Sequence, residues 1–330
     1  MISYLNKPLE IKNLSLKNRL VMPPIATSKA EQDGSVSKEL LEYYDEKSKG
    51  GFISLIIVEH SYILPAGKAS EKQLSVSDDN HIEGLAKLAR IIHDNGSKGI
   101  MQISHAGSAT STETIGHRPM GPSAATNPRR GDPPRELTLE EINDIIEGFR
   151  KAALRVQKAG FDGVEIHSAH SYLLNQFFSP LTNRRTDKYG GNLEKRIAIH
   201  LEVIKAVREA VGPDYPVLLR LGASDYMEGG ATIEDSIIAV QEFEKAGIDI
   251  IDISGGVCGY ILPDINDQGY FAPLSEKIKE AVSIPVILTG GITEPAFADK
   301  LLTDGKADLI GVGRAIVQDS NWAKKAMTSL

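Results

Sequence analysis

The densest chemistry in the chain lies in the string VEIHSAHSY at 164–172, which brings His167, His170 and Tyr172 close together. Two histidines at this spacing can bind zinc when an acid or a thiolate completes the set, and Glu165, at strand alternation from His167, could supply the acid. As neutral imidazoles the same pair can instead donate two hydrogen bonds to one carbonyl or nitro oxygen, leaving the Tyr172 phenol to deliver a proton. A third reading satisfies both rings within a polar pocket. Arg220 sits inside the apolar run LLRL. An unpaired buried guanidinium is costly, so it must meet an anion or a carboxylate such as Asp252 or Glu165. Gln102, in MQIS, needs both a donor and an acceptor partner, whether from a ligand or from a polar layer of core. The strings TGGI at 289–292 and GVGRA at 311–315 place Gly291, Gly313 and Arg314 in glycine-bearing turns. Such turns let backbone N–H groups approach a phosphate while the arginine fork adds charge, though they also serve as plain tight turns. The nucleotide-binding string Gly-x-x-x-x-Gly-Lys-Ser/Thr is absent.

These residues all fall at the ends of short β-branched runs. Eight are visible, beginning at Leu20, Phe52, Gly99, Gly163, Pro216, Asp249, Pro285 and Ala307. Most are continuously apolar, as strands of a helix-covered parallel sheet are. Their starts are spaced by roughly 41 residues on average, room for a strand, a helix and loops. Helix-period segments fill the gaps: 37–49, 81–96, 139–160, 193–212, 232–247 and 273–282. Thr138 and Thr232 read as helix starts, and Gly96, Gly160, Gly212 and Gly247 as C-terminal caps. An open doubly wound sheet should carry Gly-x-Gly-x-x-Gly after an early strand, and none of the first four runs has it. The pattern therefore predicts the α/β class and a closed (β/α)8 TIM barrel, with its chemistry at the C-terminal strand ends. Two long loops follow the third and fourth runs, about 104–138 and 168–192. With no linker or low-complexity tract, residues 1–330 read as one domain.

Composition narrows the functional classes. The 330 residues are 41% hydrophobic and 25% charged, with a net charge of -7, which argues against a nucleic-acid footprint. The single cysteine, Cys258, excludes an internal disulfide, a Cys-rich zinc site and a Cys-ligated iron–sulfur cluster. No apolar stretch approaches ~18 residues and the N-terminal segment has no signal-peptide core, which predicts a cytoplasmic protein without membrane partners.

The string VEIHSAHSYLLNQFFSPLTNRRTDKYGGNLEKR, together with LEIKNLSLKNRLVMPPIA, QISHAG, Arg220, TGGI and Gly313-Arg314, resembles the Old Yellow Enzyme family over nearly the full length. It resembles in particular the bacterial ene-reductase branch that includes 2,4-dienoyl-CoA reductases. The resemblance implies tightly held, non-covalent FMN, with NADH or NADPH as reductant and an α,β-unsaturated carbonyl or nitro compound as acceptor. It implies that Gly291, Gly313 and Arg314 cradle the FMN phosphate beside Thr289, and that Arg220 faces the edge where charge gathers in the reduced flavin. Gln102 would bond the pyrimidine edge, and Pro24, Ile25 and Ala26 would supply backbone beneath the ring. His167 and His170 would hold the substrate's activating oxygen, and Tyr172 would protonate the α carbon; phenols titrate near ~10 and keep their proton at neutral pH. The implied cycle is ping-pong, with no metal, and relatives are commonly homo-oligomers.

The sequence departs from the family pattern at three places. Ala26, followed by Thr27, stands where many relatives have a flavin-tuning cysteine or threonine, so Thr27 takes that role through a register shift or the potential is set otherwise. His60 stands where several relatives have alanine, adding a titratable group to the expected flavin contacts. The chain ends soon after Trp322, which predicts no fused iron–sulfur or second flavin domain. Two other readings make different predictions: a phosphate-binding barrel lyase or aldolase would be colourless, and a non-catalytic flavin-binding module would bind FMN without consuming NAD(P)H.

Overall fold

Eight parallel strands close into a barrel in chain order: β1 Leu20–Met22, β2 Leu55–Tyr62, β3 Lys98–Ser104, β4 Gly163–Ser168, β5 Val217–Gly222, β6 Ile250–Ser254, β7 Val286–Leu288 and β8 Leu309–Gly311, with β8 pairing back onto β1. The structure is a computed structural model and describes residues 3–129, 133–262, 265 and 267–329. The principal helices are α1 Lys38–Ser48, α2 Ile82–Asp94, α3 Leu139–Lys158, α4 Ala198–Val211, α5 Ile233–Ala246, α6 Ala272–Ala281, α7 Pro295–Thr303, α8 Arg314–Gln318 and α9 Trp322–Ser329. The strands are buried on both faces, which is why they read as continuous apolar runs.

Local chemistry sets the helix ends. Thr138 and Glu141 form a reciprocal capping box at the start of α3, each side chain accepting from the other's backbone N–H at 3.2 and 2.9 Å. Gly247 closes α5 at φ 110°, a conformation open to glycine but strained for other residues. The segment 193–212, read as one helix, is two pieces, Leu193–Arg196 and α4, broken at Ile197. The Arg196 guanidinium turns inward from the first piece, donating to the carbonyls of Phe178 and Gly191 at 2.9 and 3.0 Å. That ties the piece to the segment after β4. Two further loops, 63–81 and 255–271, are shorter than the two expected ones but also reach the mouth.

Side chains alternate along each strand, so the barrel interior is layered. Val21, Leu55, Ile57, Ile100, Leu218, Ile250, Ile287 and Leu309 form an apolar floor. The antiparallel hairpin Leu9–Ile11/Leu14–Leu16 adds Ile11, Leu14 and Leu16 to it. Each fully buried aliphatic chain contributes about 1.5–3 kcal/mol relative to exposure. One alternation step toward the C-terminal mouth the character changes: Gln102, Glu165, Arg220, Asp252 and Thr289 are all buried there. The pairing of β2 with β3 slips between Val58 and Ser61. This bulge turns Glu59 toward Thr27, whose hydroxyl donates to it at 2.5 Å, and brings His60 to the mouth.

Candidate active site

The polar layer is the lower wall of the site. Gln102 Nε2 donates to Glu165 Oε1 at 2.8 Å, and the Arg220 guanidinium lies 3.0 Å from Asp252 Oδ2 without hydrogen-bond alignment. Glu165 Oε2, Arg220 Nε and both Asp252 oxygens have no hydrogen-bond partner among the described residues. Burial raises the Glu165 pKa well above the carboxylate range, and the Asp252 charge raises it further. Burial raises Asp252 too, against the opposing pull of Arg220. Burial and mutual repulsion thus favour a proton held by the carboxyl pair beside Arg220. A buried layer with unspent donors and acceptors fits a polar ring edge laid across it.

Above the layer stand the strand-end side chains. His167 is the last residue but one of β4, and its ring lies 5.2 Å from His170 and 4.9 Å from Tyr172. The turn that aims them is strained: His170 and Ser171 have φ 58° and 67°. It is held by Ser171 N–H on Asn175 Oδ1 at 2.8 Å, Ser171 Oγ on Asn127 Oδ1 at 2.8 Å, and His170 N–H on the Gly255 carbonyl at 3.2 Å. His170 Nε2 pairs with Ser254 Oγ at 2.6 Å. Burial, with Arg220 nearby, holds His167 and His170 well below the usual imidazole pKa, so both rings are neutral. Each then has one N–H to donate and one lone pair. The metal reading would need Glu165 beside these rings, but its carboxylate is bonded to Gln102 in the layer beneath. Among the described residues no three His, Cys, Asp or Glu side chains converge as a metal site.

At β7 and β8 the turns form a cradle. Gly291 has φ 69°, and a Cβ there would lie 2.8 Å from Tyr270 Cε1 and 3.3 Å from Arg314 Nη2. Gly313 packs by Pro23 and Ile25, so the loop after β1 meets the β8 turn. Arg314 is exposed, and its Nη2 donates to Tyr270 Oη at 3.2 Å. Thr289 Oγ1 donates to the Ile253 carbonyl at 2.9 Å, which fixes the β7 end against β6. Pro24 and Ile25 are half-buried and Ala26 is exposed. Thr27 is committed to Glu59, whose pKa burial pushes up to about 7 against the pull of that hydrogen bond. A glycine turn beside an unshielded arginine fork fits a phosphate, and the polar layer fits a pyrimidine edge, so the residues present suit FMN.

Two contributors left no signal in the sequence reading. Tyr260 packs edge-on to His170 at 5.7 Å, and Tyr270 donates to the Tyr260 carbonyl at 2.7 Å. Both lie in the loop 255–271, whose Gly and Pro residues mark a loop but not which of its side chains packs onto the site. Cys258 lies in the same loop, half-buried, its thiol pKa pushed up to about 11 by burial.

Fold and mouth together define a class, a (β/α)8 barrel oxidoreductase built around a planar, phosphate-bearing cofactor. The chain belongs to the NADH:flavin oxidoreductase / NADH oxidase family, whose description matches residues 4–330. This is the Old Yellow Enzyme family that the motifs resemble, and it brings FMN and NAD(P)H as cofactors. The chain is 44% identical over 322 residues to an NADH oxidase of Thermoanaerobacter brockii, covering 96% of itself and 49% of that protein. It thus spans about half the length of that relative. It is 39% identical over 310 residues to an NADPH dehydrogenase of Clostridium acetobutylicum, covering 94% of itself and 90% of that chain. The structure of an old yellow enzyme homologue from Zymomonas mobilis superposes with a TM-score of 0.84 at 25% identity, over 97% of this chain and 91% of that one. Among the described residues no helix is long and apolar enough to cross a membrane.

Proposed function

We propose that residues 1–330 form one FMN-binding domain that oxidises NADH or NADPH and reduces the activated C=C bond of α,β-unsaturated carbonyl or nitro compounds. The observation that carries this reading is the neutral His167–His170 pair beside Tyr172, directly above a buried layer holding Arg220. FMN, when bound, supplies the acceptance of a hydride from the nicotinamide and its donation to the alkene. Gly291, Gly313 and Arg314 would hold the phosphate, Gln102 and Arg220 the polar ring edge, and the loop Pro24 to Thr27 the face beneath.

The remaining chemistry belongs to the chain's own groups. Neutral N–H donors on His167 and His170 bind the activating oxygen and draw electron density from the double bond, and being neutral they stabilise the growing charge without trapping an anionic ground state. Tyr172 holds the proton that the α carbon receives, and its place in the same turn as His170 fixes both relative to one substrate. Arg220 counters the negative charge that reduction places at the ring edge.

Adding FMN to the protein and recording its visible spectrum, then mixing it anaerobically with NADH or NADPH and an enone, tests the reading. Bound yellow flavin that bleaches with nicotinamide and recovers with enone supports it. Failure to take up FMN contradicts the cofactor site, and bleaching without recovery contradicts the ene-reductase activity.

A further inference from the structure

We propose that His60 is a substrate-binding residue supplying a third N–H donor at the mouth, and that it favours unsaturated acceptors whose activating group carries two oxygens: nitroalkenes, enoic acids or their esters. The inference rests on the ene-reductase reading above and names the substrate class within it.

A chain of fixed donors sets the His60 tautomer. The Ala69 backbone N–H can only donate, and it donates to Gln73 Oε1 at 2.6 Å. That assigns the other end of the Gln73 amide as the NH2, which reaches His60 Nδ1 at 2.7 Å and the His60 carbonyl at 3.0 Å. Nδ1 is therefore the acceptor. Burial and the nearby Arg220 charge hold the ring pKa down to about 4, so the imidazole is neutral and its one proton lies on Nε2. Among the described residues Nε2–H has no hydrogen-bond partner, yet it is not sealed off as the unpartnered polar atoms of the layer below are. The ring lies 5.2 Å from Tyr172 and 6.4 Å from His167, on the substrate side of the site. His170 meets His167 and Tyr260.

The β2 bulge explains why this residue faces inward, because the slip between Val58 and Ser61 gives His60 the position that strict alternation would give Glu59. The His167–His170 pair saturates one acceptor oxygen. A donor across Tyr172 has nothing to bind in a mono-oxygen enone and a full partner in a nitro or carboxyl group.

The test compares wild type with His60→Ala, His60→Phe and His60→Gln, all loaded with FMN. Phenylalanine keeps the ring packing and removes the donor; glutamine keeps a donor. Binding of benzoate, with two oxygens, and acetophenone, with one, is read from the flavin absorption spectrum, and kcat/KM is measured for a nitroalkene and a cyclic enone. The expected result is a roughly tenfold weaker benzoate Kd and a similar loss of nitroalkene kcat/KM in the alanine and phenylalanine variants, with a clearly smaller loss for acetophenone and enone, consistent with one lost hydrogen bond. Glutamine should recover part of the loss. Gln73→Met should mimic the loss, since Nδ1 then competes for the proton, while nicotinamide reduction of the flavin stays near normal. Equal losses on both ligands, or none, would overturn the inference. A wild type that reduces no acceptor would defeat the ene-reductase reading, while the benzoate comparison would still report on His60.

Discussion

At the scale of single residues, the site depends on side chains kept neutral by burial. His167 is the hub, since its ring meets His60, His170 and Tyr172. His167→Ala should weaken binding of phenolic and carbonyl ligands to the FMN-loaded protein by about tenfold or more, as removal of one donor from an oxygen-binding site does. Spectral titration with 4-hydroxybenzaldehyde checks this, and unchanged binding would remove His167 from the oxygen-binding pair. The residue types that carry chemistry were legible because they sit at strand ends in unusual company: an arginine in an apolar run, two histidines and a tyrosine in one turn. Their partners were not. That Gln73 fixes the His60 tautomer, that Ser254 meets His170 and that Glu59 engages Thr27 depends on contacts between distant strands and on a bulge that shifts facing by one residue. No local pattern encodes such a shift.

At the scale of elements, the βα turns convert strand register into a binding cradle. Gly291 shows why its turn needs glycine: a Cβ there would strain the backbone at φ 69° and meet the Tyr270 ring at 2.8 Å. Gly291→Ala should leave the fold intact and raise the FMN Kd at least about tenfold, read by titrating the flavin-free protein with FMN and following flavin fluorescence. A variant that binds FMN as tightly as wild type would take Gly291 out of the cradle. Strands and long helices were read well from the chain because burial on both faces and 3.6-residue periodicity are local signals. The division at Ile197 was not, because it goes with Arg196 turning inward to the carbonyl of Phe178, a contact no local pattern shows, and the nine-residue α7 was passed over.

At the scale of the whole molecule, apolar floor, polar layer and open mouth are one arrangement, and stability is coupled to the charge state of what it buries. His200, buried between Phe178 and Phe243 and bonded to Ser168 Oγ at 2.9 Å, illustrates the coupling. Burial holds its pKa down to about 3, against about 6.5 in an unfolded chain. The unfolded state therefore binds a proton first as pH falls, so this contribution is complete above about pH 6.5 and is lost progressively below it. Between pH 7.5 and 5 the wild type should lose of order 2 kcal/mol that His200→Gln does not, measured by denaturant unfolding at both pH values. The buried carboxylates Glu59 and Asp252, raised by the fold, act with the opposite sign and cancel in the comparison of the two proteins. Parallel pH slopes would mean that His200 is not held neutral. The barrel itself was legible from eight runs at regular spacing; the aromatic wall of the loop 255–271 was not, since only tertiary packing brings Tyr260 onto His170. The central claim is that Tyr172 acts in one half of the cycle and not in the other, and anaerobic rapid mixing of FMN-loaded wild type and Tyr172→Phe tests it most directly. Flavin bleaching by NADH or NADPH should proceed at near-equal rates in the two proteins, while recovery of the yellow colour with an enone should slow by about a hundredfold in the variant, the scale of a lost proton donor. Equal slowing of both steps, or of neither, would contradict it.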